Sequence, residues 1–217
     1  MSTLDNIAIL RDTDKSSLHH NYCVKYEKYL PFKRCQALKI LEIGVQDGGS
    51  LRMWKDYFYN SLIIGIDIVD KCRKHEEERI KVEIGSQTNG DFLKTVCEKY
   101  GPFDLIIDDG SHINKDVIFS YGVLFEHINS QGIYVVEDSI TSYAKEYGGG
   151  LLNPLSIIEY FKKLADDVNF RGIKDPDGGY RRGEDRLIDL CRQKMPDCAT
   201  DIESINFLNS IIIITKR

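Results

Sequence analysis

Two short stretches end in paired acids. "DLIIDDGSH" at 104–112 closes an apolar run with Asp108 and Asp109 and continues into Gly-Ser-His, and "YVVEDS" at 134–139 closes another with Glu137 and Asp138. If the two runs are neighbouring strands, about 4.8 Å apart, their ends bring four carboxylates to one edge. Clustered carboxylates repel unless a proton or a cation sits between them. Hard oxygen donors with no Cys or paired His beside them suit magnesium, manganese or calcium rather than zinc. Side chains alternate faces along a strand, so one acid of each pair is expected in the cleft while its neighbour has another role. Asp109 and Asp138 rank first as metal ligands and Glu137 third. The bland alternative is capping of the following helices, which would suffice for Asp108 or Ser139; four acids at two strand ends exceed that need. His112 follows Asp109 by three residues, and an imidazole there can take a proton from a substrate hydroxyl. His19, His20, His75 and His127 have no comparable company.

A second constellation lies upstream. "LEIGVQDGGSL" at 41–51 breaks from an apolar run into Glu42, Gly44, Gly48 and Gly49. A dinucleotide fingerprint needs G-x-G-x-x-G, and Gln46 stands where its middle glycine would be. No Lys-Ser/Thr follows the glycines, so a phosphate-cradling loop fails as well. The turn suits a nucleoside ligand without phosphates, such as S-adenosylmethionine. Asp67 ends the next apolar run, 23 residues beyond Gly44, where an acid accepts both ribose hydroxyls. Ser86 and Gln87, in "IGSQ" (84–87), are placed to meet the adenine. A side chain at Gly44 is expected to occupy cofactor space, with a simple tight turn as the alternative.

These residues need a scaffold that lines them up, and the apolar runs supply one. "ALKILEIG" (37–44), "SLIIGIDI" (61–68), "RIKVEIG" (79–85), "DLIID" (104–108) and "GIYVVED" (132–138) recur between polar stretches of helical spacing. Leu51, Trp54, Tyr57 and Phe58 suit one helix face; Ile118, Val123, Phe125 and Ile128 suit another less tidily. Continuous apolar strands separated by helices imply a parallel sheet covered on both faces. "IESINFL" and "SIIIITK", joined at Asn209 and Ser210, read as an antiparallel hairpin. An α/β fold with a mostly parallel seven-stranded sheet and a C-terminal antiparallel hairpin is the Rossmann-like layout of class I methyltransferases. The Gly-, Pro- and charge-rich stretch 170–185 reads as a mobile loop.

Composition narrows the function classes. The 217 residues amount to one large domain, at 42% hydrophobic and 29% charged. A formal net charge of −5 argues against nonspecific nucleic-acid binding, which wants a basic face. The longest apolar run, "SIIIIT" at 210–215, is strand-sized, so no membrane span is expected, and the first fifteen residues lack the apolar core of a signal peptide. Six scattered cysteines without a CxxC pair read as reduced thiols of a cytoplasmic protein.

With these residues in view, the sequence resembles the metal-dependent sugar O-methyltransferases related to the macrocin and mycinamicin O-methyltransferases. The likeness runs through "TDKSSLHHNY" (13–22), "LEIGVQDGGSLRMW" (41–54), "GIDI" (65–68), "IGSQ" (84–87), "FDLIIDDGSH" (103–112), "GIYVVEDSITSY" (132–143), "EYGGG" (146–150) and "SINF" (204–207). It covers nearly the whole chain, and "DDGSH" together with "ED" and "TSY" is its specific part. The resemblance implies S-adenosylmethionine and Mg2+ (or Mn2+) as cofactors and a sugar hydroxyl as acceptor. It implies Asp109, Glu137 and Asp138 at the metal, His112 as general base, and Glu42, Gly44, Asp67 and Gln87 at the cofactor. Gln46, Ser50, Ile68, Ser86, Asp108 and, from the first polar segment, Lys15 and Tyr22 complete the expected cofactor site. Ser16 replaces the glycine of the family's T-D-K-G-S, and Asn206-Phe207-Leu208 stands where His-Phe-Tyr is usual. The expected organisation is a single methyltransferase domain over 1–217, with a helical segment at 1–36 contributing to the site and a homo-oligomer as one possible assembly.

The implied reaction is displacement at the sulfonium methyl by a hydroxyl that His112 deprotonates. A vicinal diol chelating the metal favours a deoxy- or aminosugar, nucleotide-linked or part of a glycoconjugate or natural product, with a catechol-like small molecule as the alternative. Tyr143 and Tyr147, in "ITSYAKEYGGG" (140–150), are placed to stack on a pyranose ring. A nicotinamide oxidoreductase and a non-catalytic nucleoside-binding protein are the readings from other classes. The missing second glycine speaks against the first, and the complete set of acids and histidine against the second.

Overall fold

The computed structural model describes residues 3–165, 168 and 201–217; the stretch 170–185, expected to be a loop, lies outside them. Among the described residues, one sheet holds β1 (Lys39–Ile43), β2 (Leu62–Asp67), β3 (Ile80–Ile84), β4 (Phe103–Asp108), β5 (Ile128–Glu137), β6 (Ile202–Leu208) and β7 (Ile211–Lys216). Their order is β3-β2-β1-β4-β5-β7-β6. β1 to β5 run parallel, and β7 lies antiparallel between β5 and β6. This is the class I methyltransferase fold, with the terminal hairpin turning at Asn209 and Ser210 as the sequence implies.

Strand alternation builds the two cores. Ile40, Ile63, Leu105, Val135 and Ile213 face one layer, packed against Leu4 and Ala8 of α1 (Thr3–Leu10), Tyr26 of α2 (Cys23–Tyr29) and Trp54 of α3 (Gly49–Tyr57). Their neighbours Leu41, Ile64, Ile106, Tyr134 and Ile212 face the other, packed against Leu93 of α4 (Gly90–Tyr100), Tyr121 of α5 (Asn114–Leu124) and Phe161 of α6 (Ile157–Lys163). Each fully buried aliphatic side chain contributes about 1.5–3 kcal/mol of transfer free energy. Side-chain caps start two of the helices: Asn89 accepts from the Phe92 amide at 3.1 Å, and Ser156 from the Glu159 amide at 3.3 Å. No helix among the described residues is long and apolar enough to cross a membrane.

Two local expectations are corrected. The buried face of α5 is Val117, Tyr121 and Leu124 rather than Ile118 and Val123. Ile128 opens β5 instead of extending a helix face, because the chain leaves α5 through a 3-10 turn at Phe125–His127. β5 also starts earlier than expected; Gln131, at φ 64°, interrupts its register before the apolar run.

The strand order reverses between β1 and β4, so the C-terminal ends of these strands diverge into a crevice. Gly44, Asp67, Asp109 and Asp138 sit at or just beyond the ends of β1, β2, β4 and β5. Between α1 and α2, residues 11–22 run without helix and carry Lys15 and Tyr22 to the same edge, where they bond residues after β4 and β5.

Candidate active site

A cleft of about 500 Å³ opens at this edge. One lip is Asp12, Thr13, Asp14 and His19; the other comes from Gln46, Asp47 and Ser50 of the β1–α3 turn, and Asp109, His112 and Asp138 also line it. A second cavity of about 350 Å³ adjoins it, flanked by Ile43, Ile66, Ile68 and Ile113 with Ser86, Gln87 and Asp116 between them. Gly44, Asp67 and Gly110 line both. A flat ring sandwiched by isoleucines in the second cavity would direct polar groups past Asp67 into the first.

Asp67 is the organiser of the junction. Its carboxylate accepts from the amides of Val45 (2.9 Å), Gln46 (3.2 Å) and Val69 (2.8 Å). Partial burial works against ionisation, yet these amides outweigh it and hold the carboxyl below its ordinary range. Gly44 adopts φ 94° and lies against Asp109: a Cβ there would run into the Asp109 carbonyl oxygen. The expected reason for this glycine is therefore corrected, since what a side chain would meet is the backbone after β4.

Gln87 is fixed by its own amide, donating to Asp108 at 3.2 Å and accepting from the Ser111 amide at 2.7 Å. Asp108 lines neither cavity. It is 1% exposed and accepts from Ser120 and from the Tyr134 hydroxyl, the latter at 3.0 Å. Burial pushes its carboxyl up to about 6. Its place is behind Gln87, as an orienting group rather than a wall of the cavity.

The acids at the β4 and β5 ends converge as the spacing implies. Asp109, His112 and Asp138 offer one ligand atom each within 4.8 Å of one another. His112, at φ 57°, points Nε2 to within 4.0 Å of Asp109 Oδ1 and 3.8 Å of Asp138 Oδ2. The two carboxylates suit magnesium or manganese, and the imidazole, a donor better matched to softer metals, is left free to face the space between them.

Glu137 stands behind this trio. One oxygen accepts from the Tyr26 hydroxyl, and the other from Lys15 Nζ at 2.6 Å. Both of its oxygens are thus engaged from behind the trio. Lys15, fully buried, also lies 2.5 Å from Asp109 Oδ2 and 3.3 Å from Glu42 Oε1. Burial disfavours its ammonium, but the carboxylates of Asp109, Glu137 and Glu42 overcome this and hold its pKa well above the ordinary value. Glu42 is 0% exposed and lines neither cavity. Burial pushes its carboxyl up to about 7 despite Lys15. Tyr22 reaches the metal edge: its hydroxyl donates to Asp138 Oδ1 at 2.6 Å, with Ser210 Oγ 3.1 Å away.

Ser50 and Gln46 line the first cavity and Ile68 and Ser86 the second. Tyr143 and Tyr147 line neither: Tyr143 is half exposed on the 3-10 turn Ser139–Tyr143, and the Tyr147 carbonyl accepts from Asn114. Sequence reasoning missed Asp12, Asp14, Asp47 and His19 as cleft residues. The polar run "TDKSSLHHNY" held the signal for Asp14 and His19, since so hydrophilic a segment between two helices has to be accounted for.

No family model matches the chain. Among curated proteins, it is 39% identical over 186 residues to an L-olivosyl-oleandolide 3-O-methyltransferase of Streptomyces antibioticus, covering 81% of this chain and 47% of that protein. It is 42% identical over 176 residues to a mycinamicin VI 2''-O-methyltransferase of Micromonospora griseorubida, covering 72% and 44%. The chain thus spans about half the length of the curated relatives it matches. Among solved structures, it superposes on the MycE methyltransferase of the mycinamycin biosynthetic pathway, in complex with Mg, SAH and mycinamycin VI. The TM-score is 0.83 at 31% identity, over 99% of this chain and 53% of that one.

Proposed function

We propose that the chain, similar in sequence and fold to the macrocin- and mycinamicin-type sugar O-methyltransferases, belongs with them and methylates a sugar hydroxyl, using S-adenosylmethionine and a divalent cation. The observation that carries this reading is the meeting of Asp109, His112 and Asp138 in the same cleft as Asp67 and the Gly44 turn. The two adjoining cavities would take the nucleoside: Ile66, Ile68, Ile113, Ser86 and Gln87 would hold its base, and Asp67 would accept from its ribose hydroxyls.

Asp109 and Asp138 would hold the cation, magnesium or manganese, with Glu137 next in line, while Lys15 balances the buried charge behind them. When bound, the cation supplies a Lewis acid that makes a chelated hydroxyl more acidic, and the cofactor supplies the electrophilic methyl group. His112 Nε2 faces the space between the two acids and takes the proton of the acceptor hydroxyl. Gln46, Asp47 and Ser50 fix one wall of the cleft against the acids, so much of the rate gain comes from holding acceptor and methyl donor in line. A hydroxyl beside a second hydroxyl, as on a deoxy- or aminosugar of a glycoconjugate or natural product, fits this grip.

Isothermal titration separates this from a nicotinamide enzyme on a similar sheet. S-adenosylhomocysteine is expected to bind and NADH not to bind. Tight NADH binding without S-adenosylhomocysteine binding would overturn the proposal.

A further inference from the structure

The two acids of the metal edge are gripped in a matched way. Asp109 Oδ2 accepts from Lys15 Nζ at 2.5 Å, and Asp138 Oδ1 accepts from the Tyr22 hydroxyl at 2.6 Å. The opposite oxygens, Asp109 Oδ1 and Asp138 Oδ2, are the ones near His112 Nε2, at 4.0 and 3.8 Å. Each carboxylate thus spends one oxygen on the segment between α1 and α2 and presents the other to the cleft.

Both gripping residues are themselves locked. The Lys15 carbonyl accepts from the Tyr22 amide at 2.9 Å and from the Cys23 amide at 3.2 Å, so the two residues move as one piece. Lys15 is 0% and Tyr22 1% exposed, which leaves neither room to rotate away. Glu137 and Glu42 tie the ammonium down at 2.6 and 3.3 Å, and Lys25 lies over the Tyr22 ring at 4.7 Å.

We propose that Lys15 and Tyr22 are positioning residues that leave Asp109 and Asp138 one free oxygen each, and so make the cation site prefer a small octahedral ion over a larger one. The inference rests on the metal-dependent reading above. Magnesium demands near-ideal octahedral geometry and takes few protein oxygens, whereas calcium gathers more and accepts carboxylates through both oxygens. Turning either carboxylate to grip through both oxygens competes with its bond to Lys15 or Tyr22, so calcium meets a penalty that magnesium avoids. Lys15 also sets a positive charge against one ligand and lowers the affinity for every cation. Its removal should raise affinity overall while eroding the preference. Tyr22 carries no charge, and its removal should act on the preference alone.

The test uses the full chain saturated with S-adenosylhomocysteine, with Mn2+ binding followed by electron paramagnetic resonance and displaced by Mg2+ or Ca2+. Tyr22→Phe removes only a hydroxyl and is the decisive variant, with Lys15→Met beside it. Tyr22→Phe should keep its circular dichroism and S-adenosylhomocysteine affinity yet lose about tenfold in its Mg2+ to Ca2+ affinity ratio, the usual scale for groups that orient metal ligands. Lys15→Met, where folded, should bind both ions more tightly with a lower ratio. A general structural role would weaken both ions alike and leave the ratio unmoved. An unchanged ratio in folded Tyr22→Phe, with wild type binding Mn2+, overturns this inference alone. A wild type that binds no cation overturns the metal reading and this inference with it.

Discussion

Glu42 sits at the end of β1 with no exposed surface and Lys15 Nζ 3.3 Å away. Burial outweighs that ammonium and lifts the carboxyl from 4.5 to about 7. The folded protein therefore binds this proton more tightly than the unfolded chain does. The resulting stability is fully present below about 4.5 and is lost as pH rises through about 7. At about 1.36 kcal/mol per pH unit, the interval is worth about 3 kcal/mol in full, most of it between pH 5 and 8. Glu137, raised by the same burial, acts in the same sense. Glu42→Gln cannot titrate, so its stability should fall by roughly 2–3 kcal/mol less than wild type across that range. Urea unfolding at pH 5, 6, 7 and 8, read by fluorescence of the buried, single Trp54 in the presence of EDTA, measures it. Parallel profiles for wild type and variant would refute the reasoning, because Glu42 would then titrate alike folded and unfolded.

Asp67→Ala should weaken S-adenosylhomocysteine binding by about 1.5–3 kcal/mol in calorimetry, the scale of lost charge-assisted hydrogen bonds; equal affinity would take Asp67 out of the site. Because three amides also lose their acceptor, its melting temperature should drop as well. His112→Ala should lose about 10²–10⁴-fold in turnover while keeping Mn2+ affinity, and recover in part at high pH as the acceptor hydroxyl ionises unaided. A wild-type rate would refute its role as base, and loss of Mn2+ binding would make it a ligand instead. Gly44→Ala forces a Cβ against the Asp109 carbonyl at a φ of 94° and should cost about 2 kcal/mol or more in thermal unfolding; an unchanged melting temperature would contradict that packing.

The sheet was legible because buried parallel strands are continuous apolar runs, and the hairpin because Asn209 and Ser210 break two such runs. The meeting of Asp109, His112 and Asp138 followed from the β4 and β5 ends being neighbours. Period-2 alternation also called for one cleft acid per pair. The chain meets this by burying Asp108 against Ser120 and Tyr134 and Glu137 against Lys15 and Tyr26, and sending Asp109 and Asp138 forward. What alternation cannot supply is the partner behind a buried acid. Lys15 pairs with Asp109 across 94 residues and with Glu137 across 122, distances over which sequence spacing carries no signal. For that reason Lys15 and Tyr22 read as cofactor residues, although they hold the metal edge. His19 read as solvated because its company in the cleft, such as Asp109 and Asp138, is assembled only by the fold.

Methyl transfer from labelled S-adenosylmethionine to a glycoside bearing vicinal hydroxyls, followed before and after exhaustive chelation with EDTA, tests the central claim most directly. The account predicts that chelation abolishes transfer with the circular dichroism unchanged, since Asp109 and Asp138 stand at a cleft outside the core, and that Mg2+ or Mn2+ restores it. Transfer that persists at full rate after chelation would contradict it.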